Sequence, residues 1–223
     1  MLKYHLIKDI LLLLIIAAIG ACGWKAYNHY TEKIKDFEMS LTKMGTGISI
    51  DNQRKAKIQK AAEMIKSVND KLPYEIAMNY AEWFVDEADK YQNVDFVLLI
   101  SIASQESHFR HKAKSPVGAR GLMQMMPGTA MDMCEYLRMT YADSILFDPK
   151  TNIRLGAKYV NKMMTLFNND EHAVIASYNG GEGGGRKYKA YKNGKMSADA
   201  IAKETLDYVP KVLKFKSKFE GMM

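Results

Sequence analysis

Residues 96–127 read FVLLISIASQESHFRHKAKSPVGARGLMQMMP, and most of the fold assignment depends on them. The first ten of these residues are apolar almost all round, which predicts a buried helix over 96–105 with Asp95 as its N-cap. Glu106 follows directly, and a carboxylate at the rim of an apolar helix is costly unless it is paired or used. Desolvation would raise the pKa of Glu106 and keep it protonated near neutrality, as a general acid requires. Taken alone, however, a glutamate at a helix end is more often a solvated surface residue.

The pattern of apolar residues elsewhere is also helical, so the predicted fold class is mostly α. Alternating strand patterns are scarce, and Pro73 suits the start of a helix. After Pro73 the predicted helices cover residues 74–91, 96–105, 128–136, 153–167, 173–178 and 198–218. Glycine and proline interrupt the pattern at 115–118, 147–149 and 180–185, where we expect loops.

The N-terminus predicts attachment to a membrane. Lys3 and Lys8 precede an uninterrupted apolar run over residues 10–24, which is short for a spanning helix and near the length of a signal-peptide core. Two interpretations stay open. The run is an uncleaved signal anchor, or residues 19–22 form a lipobox in which Cys22 is lipidated after cleavage. A buried core helix is less favoured, because the polar residues precede the run and do not mark one of its faces.

The segment between this run and Pro73 is predicted to be a helical stalk over residues 25–72. Its apolar residues recur at three- and four-residue steps, at Tyr27, Tyr30, Ile34, Phe37 and Leu41. We expect Gly45-Thr46-Gly47 to interrupt the helix, and a charged helical segment to continue to about residue 69. The predicted organisation is therefore an anchor or signal peptide over 1–24, the stalk over 25–72 and a domain over 73–223.

Composition restricts the function classes. Of the 223 residues, 48% are hydrophobic and 26% charged, so a packed core is expected. The net charge of +7 suits a nucleic acid, an anionic membrane or an acidic polymer, but no arginine-rich patch alternates with aromatic residues, so nucleic acid is not a predicted partner. Cys22 and Cys134 are too few for a disulfide framework, and no Cys/His cluster has metal-ligand spacing. Neither a metal nor another cofactor is predicted.

Four short segments in a fixed order carry the strongest information about function. They are ESHF at 106–109, GLMQ at 121–124, SYN at 177–179 and ETLDYV at 204–209. They resemble the motifs E-S-x-F, G-L-M-Q, A-Y-N and E-T-x-x-Y-V of the soluble lytic transglycosylase family, which has a goose-type-lysozyme-like fold. The resemblance covers roughly residues 74–215, and four ordered motifs are far more specific than one. Ser177 departs from the usual alanine, although it is still a small residue.

The resemblance implies an activity and a set of site residues. It implies that Glu106 protonates the glycosidic oxygen between N-acetylmuramic acid and N-acetylglucosamine in peptidoglycan. Glu106 then acts as base on the muramic 6-hydroxyl, which closes onto C1 to give a 1,6-anhydro product. A single carboxylate can suffice because the nucleophile belongs to the sugar. Substrate contacts are implied at Ser115, Gln124, Met126, Tyr178, Asn179, Glu204 and Tyr208.

Two rival functions stay open at this point. One is a lysozyme-type hydrolase of the same fold, for which Glu204 or Asp207 would activate water. The other is a non-catalytic peptidoglycan-binding component of a cell-envelope or virion machine. In each case the predicted partners are glycan strands and, through the N-terminus, a membrane, with the domain facing the periplasm or cell wall. Arg120 and Gly121 are expected to be structural.

Overall fold

The computed structural model describes the backbone of residues 2–223 and the side chains of residues 17, 19–25 and 27–223. The helices are α1 Leu2–Lys66, α2 Tyr74–Ala88, α3 Phe96–Ser107, α4 Pro127–Leu137, α5 Pro149–Leu166, α6 Glu171–Lys192 and α7 Lys203–Glu220. Short 3-10 helices cover Asp143–Phe147 and Ala198–Ala200. Within the part of the chain described, β-structure is limited to isolated bridges in the loop between α3 and α4. The prediction of a mostly α fold is confirmed.

The chain divides into two compact units, Met1–Arg54 and Lys55–Met223. In the first unit, α1 continues through Gly45 and Gly47, so the predicted interruption there is wrong. Each glycine in a helix costs only about 1 kcal/mol relative to alanine, which the neighbouring helix formers offset.

The predicted anchor, residues 1–24, lies largely outside the residues whose side chains are described. Among the residues that are described, none of the helices combines the length and the apolar character needed to cross a membrane.

The second unit has its core around the end of α1 and the helices that follow. Ile58, Ala61, Met64 and Ile65 on the last turns of α1 are buried in the main hydrophobic cluster. The segment before Pro73 therefore contributes to the same core as the helices after it. The compact unit begins at Lys55, whereas the sequence predicted a domain that starts at residue 73.

Helix α3 is the central element of this unit and packs against α2, α5 and α7. Asp95 caps it as expected, accepting a hydrogen bond of 3.2 Å from the backbone N–H of Val97. Every residue of α3 is buried except Gln105 and Glu106. The apolar helix thus ends with one carboxylate at the edge of the core.

The glycine-rich segment 180–185 is a kinked part of α6, so the loop predicted there is wrong. Gly181 alone leaves helical geometry, with φ 66 and ψ −174, and the helix resumes after it. Gly185 lies against Phe167, where a Cβ atom would come within 2.6 Å of the ring. The glycines therefore allow a bend and a close contact within one helix. Helix α7 begins at Lys203 and not at the predicted residue 198.

Candidate active site

Glu106 is bound by a tyrosine from a second helix. It is partly buried at the C-terminal end of α3. The hydroxyl of Tyr208, buried on α7, donates a hydrogen bond of 2.5 Å to Glu106 Oε1. Burial raises the pKa of Glu106, the Tyr208 hydrogen bond lowers it, and the nearby charge of Glu204 raises it, with a net pKa of about 7. A carboxyl group with a pKa near neutrality can give and take a proton at pH 7.

The loop between α3 and α4 is fixed to the end of α3 and to α5. Ser107 is buried, and its hydroxyl donates to the carbonyl oxygen of Leu122 at 2.6 Å. On α5, the buried side chain of Asn152 accepts from the N–H of Met123 at 2.7 Å and donates to two carbonyl oxygens. These bonds satisfy buried polar groups that would otherwise be costly. They also set the loop position relative to Glu106.

Gly121 allows the tight backbone that this loop requires, as the sequence predicted. Its φ is 83, and a Cβ atom there would lie 2.1 Å from the carbonyl oxygen of Leu146. Gln124 also has a positive φ, of 46. Its side-chain amide donates to the carbonyl oxygens of Gly121 at 2.9 Å and Ala113 at 3.2 Å. Gln124 therefore braces the loop as well as facing the cavity described next.

A cavity of about 230 Å³ brings four of the predicted substrate contacts together. Its lining comprises Gln124, Met125, Met126, Thr129, Tyr159, Tyr178, Asn179 and Gly181. Larger cavities of about 420 and 340 Å³ border Tyr136 and contain no motif residue. We assign the candidate site to the smaller cavity, because the motif residues meet there.

Tyr178 is held rigidly at one wall of the cavity. Its hydroxyl donates to the carbonyl oxygen of Met123 at 2.8 Å. Its ring meets Tyr159 edge to face, with centroids 5.6 Å apart. Burial raises its pKa well above 10, and the charge of Glu106 raises it further. Tyr178 is thus a neutral, fixed side chain near the candidate acid.

Asn179 connects α6 to α7 through two side-chain hydrogen bonds. Its amide donates to Glu204 Oε1 at 3.1 Å, and the hydroxyl of Thr205 donates to its Oδ1 at 2.8 Å. Glu204 itself is exposed. Asn179 is therefore oriented by groups of the fourth motif, so the third and fourth motifs form one hydrogen-bonded unit.

Ser115 is the predicted site residue with least connection to the others. Like Glu106, Glu204 and Tyr208 it is absent from the cavity lining. Its hydroxyl oxygen accepts from the N–H of Ala119 at 2.9 Å within its own turn. Nearby, Arg120 forms an ion pair of 2.7 Å with Asp143, in agreement with a structural role.

The two histidines after Glu106 differ in their surroundings. His108 is exposed, but His111 is partly buried, with Nδ1 3.3 Å from the hydroxyl oxygen of Tyr80. Over the described residues, no group of three or more His, Cys, Asp or Glu side chains is arranged to hold a metal ion.

Comparison with known proteins agrees with this arrangement of motifs. The family model for the transglycosylase SLT domain matches residues 84–201, more than half of the chain. The chain belongs to the transglycosylase SLT domain family.

Relatives of this SLT domain include soluble and membrane-bound enzymes. The chain is 37% identical over 131 residues to the soluble lytic murein transglycosylase of Escherichia coli K12, covering 56% of this chain and 20% of the relative. It is 35% identical over 124 residues to membrane-bound lytic murein transglycosylase F 1 of Alkalilimnicola ehrlichii, covering 53% and 22%. The chain thus spans about a fifth of the length of these curated relatives.

The fold of the SLT domain also matches a solved structure. Superposition on the 70 kDa soluble lytic transglycosylase of Escherichia coli gives a TM-score of 0.57 at 29% identity. The match covers 73% of this chain and 28% of that one. The lysozyme-like class predicted for the domain is therefore supported by sequence and by structure.

Several residues that build this SLT site were not identified from the sequence. Asn152 and Thr205 orient motif residues, and Tyr159 packs on Tyr178. Thr205 lies inside the fourth motif and could have been read there. Asn152 and Tyr159 come from α5, which contains none of the four motifs. Only the packing of α5 against the loop and α6 reveals them.

Proposed function

We propose that this protein is a lytic transglycosylase that cleaves the β-1,4 bond between N-acetylmuramic acid and N-acetylglucosamine in peptidoglycan. The product strand ends in 1,6-anhydromuramic acid. The observation that carries the proposal is the environment of Glu106, a partly buried carboxyl group whose pKa is raised to about 7. It is close enough to Tyr178, which lines the cavity, for its charge to raise the pKa of that tyrosine. A carboxyl group of this kind is suited to general acid catalysis at neutral pH.

Glu106 serves in both halves of the proposed reaction. Its protonated carboxyl group donates a proton to the glycosidic oxygen as the bond from that oxygen to C1 breaks. The resulting carboxylate takes a proton from the muramic 6-hydroxyl, whose oxygen forms the new bond to C1. Glu106 ends in its starting state, and water is not consumed. An internal hydroxyl reacts fast when it is held over C1, with an effective concentration of ~10⁵ M or more in well-oriented cases.

The remaining site residues hold the sugar in this proposal. Tyr178 and Asn179 contact the sugar, and Gln124 and Met126 line the groove beside the scissile bond. Ser115 hydrogen-bonds the N-acetyl group. Its O–H is the available donor, since its oxygen already accepts from Ala119.

Two residues act on the acid and its neighbours. Tyr208 holds the Glu106 carboxylate by its hydrogen bond. Glu204 orients Asn179 and raises the pKa of Glu106. We therefore assign Glu204 a supporting function, because its carboxylate is engaged by Asn179.

Analysis of the products tests the proposal against its two rivals. Purified peptidoglycan is digested with the full chain, and the soluble fragments are examined by mass spectrometry. We expect fragments that end in 1,6-anhydromuramic acid and lack one water relative to hydrolysed fragments. Fragments with ordinary reducing ends would show that the protein is a lysozyme-type hydrolase, with Glu204 or Asp207 activating water. Binding to peptidoglycan with no released fragments would indicate the non-catalytic component.

The proposed site of action is the cell wall, with the chain attached to a membrane on the periplasmic side. The apolar run over residues 10–24 supports attachment, either as an uncleaved anchor or through a lipid on Cys22. Of the two relatives described above, one is named soluble and the other is named membrane-bound. A virion or secretion machine that opens the wall locally would use the same chemistry.

A further inference from the structure

Helix α1 presents an uncovered apolar stripe within the unit Met1–Arg54. Its members are between 51% and 65% exposed, although each is large and hydrophobic. They are Tyr27, Tyr30, Ile34, Phe37, Leu41, Met44 and Ile48. Single exposed apolar residues are normal, but a continuous stripe of seven along one helix indicates an interaction surface.

The spacing of the stripe is that of a coiled coil. Successive members are separated by three and four residues in strict alternation from residue 27 to residue 48. In heptad notation Tyr27, Ile34, Leu41 and Ile48 occupy the a positions, and the other three occupy the d positions. A repeat of 3.5 residues keeps the stripe facing a partner helix only when two helices wind around each other in a left-handed supercoil. The stripe therefore fits another helix better than a flat surface.

Charges beside the stripe fit a second copy of the same helix. Lys33 occupies a g position, and Glu38 occupies the e position five residues later. In a parallel, in-register pair, g of one helix faces e of the next heptad in the other, so Lys33 of each copy meets Glu38 of its partner. The next g–e combination, Ser40 with Gly45, is neutral and compatible with this register.

The opposite face of the helix has no comparable surface. Thr42 and Thr46 turn their hydroxyl groups back to the carbonyl oxygens of Glu38 and Thr42 one turn earlier. Met39 is the apolar exception on that face and has no apolar neighbour at heptad spacing. A single face of α1 between residues 27 and 48 is thus suited to pairing.

We propose that residues 27–48 form a parallel two-stranded coiled coil with a second copy of this chain. The paired segment would be about 33 Å long at 1.5 Å per residue. Three heptads give modest stability by themselves, so attachment of both copies to one membrane would favour pairing by raising their effective concentration. The pairing goes beyond the proposed enzymatic function and does not depend on it.

Sedimentation equilibrium of the full chain in density-matched detergent tests the pairing. We expect a protein mass of twice 25.3 kDa for the wild type. Met44→Glu introduces a charge into the stripe, and Met39→Glu makes the same change on the opposite face, at a similarly exposed position. Met44→Glu should weaken dimerisation at least ~10-fold, because it buries an unpaired carboxylate at a d position. Met39→Glu should leave it unchanged.

Charge reversal tests the direction and register. Lys33→Glu or Glu38→Lys alone should weaken the dimer, and the double variant should restore it.

A wild type that is monomeric at all concentrations overturns the proposal, as does equal weakening by Met39→Glu and Met44→Glu. Binding of a monomer to anionic vesicles, lost in Met44→Glu, would assign the stripe to a membrane surface instead. The rate of peptidoglycan digestion per molecule by Met44→Glu in detergent shows separately whether the enzyme is intact.

Discussion

At the scale of single residues, burial and two neighbouring side chains determine the proton affinity of Glu106. Burial disfavours the carboxylate and raises the pKa, Tyr208 stabilises the carboxylate by a hydrogen bond, and Glu204 repels it. Since the net pKa is about 7, a large fraction of the protein carries a protonated Glu106 at neutral pH. A group with this pKa is also acidic enough to serve as the base in the second half of the proposed reaction.

The first prediction concerns Glu106→Gln. Glutamine keeps the shape of the side chain but cannot transfer a proton, so release of soluble fragments from peptidoglycan should fall by ~10²–10⁴-fold or more. Glu135→Gln on the exposed face of α4 is the matched control, and its activity should equal that of the wild type. Near wild-type release by the Glu106→Gln protein would show that Glu106 is not the acid.

Stability measurements distinguish this loss from misfolding. Because the folded-state pKa of Glu106 lies above its ordinary value of 4.5, the folded protein binds the proton more tightly. Tighter proton binding stabilises the folded state at low pH, so the free energy of unfolding of the wild type falls as pH rises from about 4.5 to about 7. Because glutamine does not titrate, the free energy of unfolding of the Glu106→Gln protein shows no such fall. This variant should be more stable than the wild type above pH 7, by on the order of 1–3 kcal/mol. Urea titrations at pH 4.5 and 7.5 measure the difference.

The second prediction concerns the pH dependence of activity. Tyr208→Phe removes the hydrogen bond that favours the carboxylate, so the pKa of Glu106 rises and the alkaline limb of the activity profile moves to higher pH. Glu204→Gln removes a repelling charge, so the same limb moves to lower pH. The profiles of kcat/KM against pH on soluble glycan fragments measure both shifts. Shifts in the same direction would contradict this account of the Glu106 pKa.

At the scale of elements, the loop between α3 and α4 depends on helices distant in sequence. The N–H of Met123 and the carbonyl oxygen of Arg120 are bound by Asn152 on α5, and Ser107 attaches the loop to the end of α3. Gly121 passes too close to Leu146 for any side chain. The position of Gln124 relative to Glu106 is therefore set by packing between elements, and the G-L-M-Q motif marks the place where these contacts meet.

Gly121→Ala should destabilise the domain by at least about 3 kcal/mol, since it adds a steric collision to an unfavourable φ. Gly118→Ala is the control, because Gly118 also has a positive φ, of 98, but has no atom within 4 Å of an added Cβ. It should cost only about 1–2 kcal/mol. Thermal unfolding of the two variants gives the difference. Equal losses would mean that backbone strain alone explains the need for glycine at position 121.

Helix α6 shows why element boundaries were hard to predict. A run of glycines normally indicates a loop, yet only Gly181 departs from helical geometry. Gly180 and Gly185 are instead places where α6 meets Thr205 and Phe167 too closely for a Cβ atom. Sequence periodicity contains no information about such neighbours, since they come from other parts of the chain.

At the scale of the whole molecule, the proposed membrane attachment and the proposed catalysis belong to different segments. The candidate site lies wholly within Lys55–Met223, and the apolar run lies within Met1–Arg54. Removing the run should therefore leave the site intact.

Deleting residues 1–24 should give a protein that leaves the membrane fraction and digests peptidoglycan at the wild-type rate per molecule. Fractionation of cells followed by digestion assays measures both properties. Cys22→Ser in the full chain separates the two forms of attachment. Loss of lipid labelling identifies a lipoprotein, whereas unchanged membrane retention without any labelling identifies an uncleaved helix. A full-length wild type found wholly in the cytoplasm, without processing, would contradict membrane attachment.

The sequence by itself determined the helical class, the capped apolar helix α3 and the family. The first two depend on local periodicity, and the family depends on four short motifs whose residues can be recognised directly. It also identified Glu106, Gln124, Tyr178, Asn179 and Tyr208 as candidates. Only the tertiary structure decided which candidates meet. It brought Tyr208 to Glu106 and Glu204 to Asn179, left the Ser115 hydroxyl bonded within its own turn, and supplied Asn152 and Tyr159 from a helix without motifs. The physical reason is that hydrogen bonds and desolvation act over a few ångströms in space, between residues that packing brings together from as far as 102 positions apart.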